Sequence, residues 1–143
     1  MTTTHDPSII GRSVEAARRW YDDLATELGS DDRQYGARAL RAVLHALRDR
    51  LSVEEGAQLA AQLPTLIRGV YYEGWKPGAS PHLAHDVDEF LEHVARDGRM
   101  AGETEASHAV AAVARLLRRH VSQGELDDVL AILPAKLRPL FAA

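Results

Sequence analysis

The sequence predicts an all-α protein made of two tandem helical repeats packed as one globular bundle, and three observations carry that expectation. Apolar residues recur at steps of three and four, no stretch sustains a period-two alternation, and the chain aligns with itself, without a gap, at an offset of seventy residues. In that alignment "ALRAVLHALRDRLSVEEGAQLAAQLPTLIRGVY" (39–71) lies over "AVAAVARLLRRHVSQGELDDVLAILPAKLRPLF" (109–141). Between 20–71 and 90–141 twelve positions are identical, among them Ser52, Glu55, Leu63 and Pro64. Conservative pairs such as Trp20 with Phe90 and Tyr71 with Phe141 fill in the rest. Paired landmarks in register favour duplication over the chance similarity of two alanine-rich helices.

The elements follow in order, about four helices to a repeat. Residues 1–12 read as a flexible arm, since an unanchored terminus has little to hold it. Repeat 1 spans 13–74. Its lead helix carries the stripe Val14, Ala17, Tyr21, Leu24 and Leu28. The second helix carries Leu40, Val43, Leu47 and Leu51, and Val110, Val113, Leu117 and Val121 repeat that spacing seventy residues on. Ser52 with Glu55, and Ser122 with Glu125, read as capping boxes that open a third helix in each repeat. Pro64 and Pro134 end that helix and start a short fourth one, about 65–73 and 135–141. The segment "WKPGASPHLAH" (75–85) is the connecting loop, because its prolines and glycine oppose continued helix. Repeat 2 spans 86–143 and opens at Asp86, with Glu89 in the capping-box position. Each half alone would make a small core, so one compact domain around a pseudo-twofold axis is expected.

Composition narrows the function classes. Of the 143 residues, 45% are apolar, enough to build a core, and a net charge of −4 argues against general nucleic-acid binding. Absence of cysteine removes disulfides, thiol nucleophiles and thiolate metal sites. Neither a secretory leader nor a long apolar span is visible, so a cytoplasmic protein without membrane contact is expected. Almost all basic residues are arginine, which with the alanine content suggests a GC-rich bacterial genome.

The run "ALRAVLHALRDRLSVEEGAQLAAQLPTLIRGVYYEGW", then "DEFLEHVA" and a weaker second copy ending "LPAKLRPLF", resembles the bacterial domain-of-unknown-function 2267 family. The similarity extends from Trp20 to Phe141. It implies a small all-helical tandem unit and brings no activity, cofactor or catalytic residue with it.

Three groups of residues are candidates for a site. "RGVYYEGW" (68–75) gathers three of the eight aromatic residues, Tyr71, Tyr72 and Trp75, beside Arg68 and Glu73. Helical spacing puts Tyr71 toward the interior, with Trp75 just past the terminator Gly74, so these two rings are expected to plug the junction between repeats. Tyr72 is the ring expected to face outward as an interaction residue. Arg41, His45 and Arg48, echoed by Arg115 and Arg118, form a basic strip that reads as a solvated helix face, or less readily as a phosphate- or nucleic-acid-binding stripe. His82, His85 and His93 stand near Asp86, Asp88, Glu89 and Glu92, the residue types of a zinc or iron site. A helix starting at Asp86 would leave His82 and His85 in the loop and spoil the convergence. Phosphate-cradling glycine loops and activated-serine motifs are both missing. The expectation is a non-enzymatic interaction module without a cofactor, acting on another protein or on its own copy. The alternatives are a ligand- or metal-binding cleft between the repeats, and nucleic-acid contact through the arginines.

Overall fold

The computed structural model describes residues 8–79 and 86–142, which form eight α-helices, a 3-10 turn at Pro77–Ala79 and, among the described residues, no strand. α1 (Ile9–Leu28) starts where the Ser8 hydroxyl accepts from the Gly11 amide. That N-cap draws residues 9–12, expected in the flexible arm, into the helix. α2 (Arg33–Arg48) is capped by Asp32, whose carboxylate accepts from the Gln34 and Tyr35 amides. α3 (Val53–Ala60) has the full reciprocal box between Ser52 and Glu55. α4 (Thr65–Tyr72) begins after Pro64 and ends before Gly74, which takes the left-handed conformation at φ 68°.

The second half keeps the spacing of the first in its second and third helices and departs from it elsewhere. α5 (Val87–Asp97) is capped by Asp86, but that carboxylate accepts from the Asp88 amide and no box with Glu89 forms. α6 (Glu103–His120) and α7 (Gln123–Ile132) start seventy residues after α2 and α3. Ser122 accepts from the Glu125 amide at 3.3 Å, while the Glu125 carboxylate turns to Gln62 instead of returning to its cap. α8 (Arg138–Phe141) begins three residues later than expected. The cause is Pro139, which has no amide to give Ala135, so the first turn drawn from Pro134 cannot propagate.

Packing is reciprocal: α1 lies on α6 and α5 on α2, while the pairs α2–α6 and α3–α7 meet directly. Small residues allow close approach, for Ala39, Ala42 and Ala46 of α2 and Ala106, Ala109 and Ala112 of α6 are all buried in one continuous core. Two aromatic contacts flank it. The Arg50 guanidinium sits 5.2 Å over the Phe90 ring, and the His120 ring stacks on Trp20 with centroids 4.9 Å apart.

Tyr71 is fully buried, and its hydroxyl donates to the Gly56 carbonyl at 2.9 Å. That bond ties α4 to α3 within the first half, and α4 packs mainly on α1 and α2. The hydroxyl therefore serves the closure of its own half, while the ring belongs to the one core that both halves share. Tyr71→Phe should lower stability by about 1 kcal/mol while leaving the helical content unchanged, read by urea denaturation followed by circular dichroism.

Candidate functional site

An open, largely apolar groove of about 610 Å³ lies between α1, the start of α2 and α4. Val14, Ala17 and Tyr21 form one wall, Gly36 and Ala37 the opposite one, and Leu66 of α4 closes the end. Val14 was expected in the core, yet it is 40% exposed, because the first turns of α1 run past the helices that cover the rest of its stripe. Leu66 is 45% exposed and Ile10, one turn before Val14, is 70% exposed. Arg18, Arg33, Asp31 and Asp32 surround the groove, giving it charges of both signs at its rim. Tyr21 reaches toward the expected site residues: burial, and then the nearby Glu73 carboxylate, push its hydroxyl pKa up.

The aromatic candidates form a ladder. Tyr72 is half-buried, edge-on to Tyr71 at 5.1 Å and tilted against Trp75 at 5.3 Å. Tyr72 is thus packed against the core and only partly available outward. Trp75 is also half-buried, and its buried indole nitrogen has no acceptor among the described residues. Glu73 is exposed and pairs with Arg41 at 3.0 Å. Arg68 binds backbone, its Nε donating to Ala60 and a terminal nitrogen to Leu63. Arg138 does the same to Leu133 and Ala131, so both arginines tie the turn between third and fourth helices.

The basic strip divides. Arg41 is exposed as expected, but His45 and Arg48 are buried, Arg48 with only 5% of its surface exposed. The Arg48 guanidinium donates to the carbonyls of Tyr71 and Glu73 and to Asp49, closing the C-terminus of α4. Arg118 donates likewise to the Phe141 carbonyl at the end of α8. His45 Nε2 lies 2.7 Å from the Val70 carbonyl and must carry the proton, while burial pulls its pKa down. Arg115 pairs with Glu27 at 2.7 Å, and this bond holds the Glu27 carboxyl below its usual range. The strip is therefore mostly a set of internal ties rather than a solvated face.

Of the metal candidates, His82 and His85 lie outside the described residues. His93 uses both ring nitrogens: Arg50 donates to Nδ1 at 3.1 Å, and Nε2 faces Asp97 at 2.9 Å. No group of three ligating side chains converges among the described residues. Between the halves, where α3 faces α7, an open cleft of about 630 Å³ is lined by Gln58, Gln62, Glu125 and Asp128. No helix among the described residues is long and apolar enough to cross a membrane.

The arrangement holds buried arginines on carbonyls, a tyrosine ladder after Leu-Pro and a second half ending in the same carbonyl tie. The family described as "Uncharacterized conserved protein (DUF2267)" matches residues 17–140. The chain belongs to that family. Comparison with curated proteins found no match. In this DUF2267 chain the family span starts at Ala17, so the exposed turn around Ile10 and Val14 precedes it. Sequence reasoning missed the groove because that turn continues the stripe of a core helix, and only Leu66 at an exposed helical position hinted at it.

Two predictions follow from these ties. Arg48→Met should cost about 2–4 kcal/mol by leaving two carbonyls without their donor, while Arg41→Ala should change stability by no more than about 0.5 kcal/mol; urea denaturation of both variants checks the contrast. His45 and His93 both have lowered pKa values in the fold, burial being the main cause. Below the ordinary histidine value of about 6.5 the unfolded chain therefore binds more protons than the folded one. Stability should hold above that pH and fall progressively beneath it, and His93→Gln should flatten the fall in melts taken across the range.

Proposed function

We propose that the protein is a non-enzymatic helical interaction module and that its groove takes up the first turns of α1 from a second copy. The supporting observation is the exposed apolar group Ile9, Ile10 and Val14 in the first turns of the same helix that walls the groove. Pairing about a twofold axis would seat each group in the other copy's groove and bury Leu66 on both sides, the self-complementary arrangement of an isologous dimer. The mixed-sign rim suits this pairing, since Glu15 of one copy can meet Arg18 or Arg33 of the other. Leaving such a group in water is unfavourable, and its burial is worth about 2 kcal/mol per large side chain. Residues Tyr72, Glu73 and Trp75 lie next along the surface and would extend the contact.

Sedimentation equilibrium from micromolar to submillimolar protein tests the proposal. The native chain should be dimeric at the upper end, and Val14→Asp should shift it to monomer with its melting temperature preserved, because Val14 lies outside the core. A native chain that stays monomeric throughout would end the self-association reading.

A further inference from the structure

A second cavity adjoins the groove, sharing Ala37 with it, and its chemistry is different. It is open, about 460 Å³ in volume, and is lined by Ala37, Arg38, Arg41, Asp97 and Arg99. We infer that this cavity is an anion site for a small phosphorylated molecule, held by the guanidiniums of Arg38, Arg41 and Arg99.

Two of the three arginines are already oriented. Arg38 donates through Nε to the Gly98 carbonyl at 3.1 Å, and its guanidinium lies 5.6 Å over the Tyr35 ring. Arg41 pairs with Glu73 through Nε at 3.0 Å. Each is thus tethered by one nitrogen, and its two terminal nitrogens keep their donors for the planar, two-point contact that guanidinium makes with phosphate. Asp97, the only carboxylate lining the cavity, accepts from the His93 ring at 2.9 Å and pairs with the exposed Arg96 at 3.7 Å, so its oxygens are already engaged on that side.

Arg99 supplies an independent observation. It stands at φ 54°, the only non-glycine with positive φ among the described residues. α5 ends there in a doubly bonded turn, with the Met100 amide on Ala95 and the Arg99 amide on Arg96. α1 ends in the same turn at Gly29, with φ 68° and the Ser30 amide on Ala25. Glycine satisfies that backbone without steric cost, whereas arginine does not. No ion pair or hydrogen bond holds the Arg99 side chain among the described residues. The turn therefore carries a strained residue whose side chain makes no hydrogen bond or ion pair among the described residues and lines a cavity with two other cations. A nucleic-acid stripe is disfavoured, since the cations converge in one concavity flanked by Glu73 and Asp97.

Calorimetric titration of the full chain with inorganic pyrophosphate at low salt tests the assignment. Saturable binding at one site is expected, and Arg99→Gly should weaken it about tenfold. The same variant should keep its melting temperature within about 2 °C, because glycine fits the left-handed turn. Arg38→Gln should weaken binding similarly. A flat titration, or an Arg99→Gly variant that binds as tightly as the native chain, overturns the site. Binding of duplex DNA or of phosphatidic acid vesicles with no response to pyrophosphate also overturns it, in favour of a nucleic acid or a lipid headgroup. The outcome is separate from dimerisation, which the Val14→Asp variant reports on its own.

Discussion

The rest of the structure depends on one constraint, the burial of α2 around nearly its whole circumference. Seven consecutive residues from Ala42 to Arg48 are buried, because α1, α4, α5 and α6 all pack on this helix. A helix so enclosed cannot leave a polar group to water, and an unpaired buried charge costs several kcal/mol. His45, Arg48 and Arg50 therefore each end on a carbonyl: Val70, Tyr71 with Glu73, and Ala46. The bonds of His45 and Arg48 fix α4 against α2, and with α4 the position of Leu66, Tyr72 and Glu73.

Surface chemistry follows from that arrangement. Cations drawn inward as structural ties are lost to any binding stripe, while Arg38 and Arg41 line an open cavity together with Arg99 at the end of α5. The apolar groove has a related origin. α1 extends beyond the helices that bury Trp20, Leu24 and Leu28, and its first turns keep an apolar stripe with nothing over it. The end wall is not repeated in the second half, since the position seventy residues after Leu66 is Lys136. The two halves thus share a helical plan and present different surfaces.

Much of the fold was legible in the sequence. The caps Ser52 and Asp86, the break at Pro64 and the terminator Gly74 are local events governed by a few neighbouring amides, and short-range chemistry is what a linear reading captures. Partial failures came where a local motif had a distant competitor. Glu125 abandons its capping box for Gln62, a residue 63 positions away. Ser8 was overlooked as a cap because it follows an unpatterned start.

The candidate site was much less legible, and the reason is physical. Periodicity reports which face of a helix is apolar, but not how many neighbours will cover it. The sequence by itself determined an all-helical chain, its punctuation and the burial of Tyr71 and Phe141. Only the tertiary structure decided that Arg48 and His45 turn inward, that Val14 stays outside, and that Arg99 meets Arg38 and Arg41. Those outcomes depend on which helices pack together, a property of contacts between residues tens of positions apart and not of any local pattern.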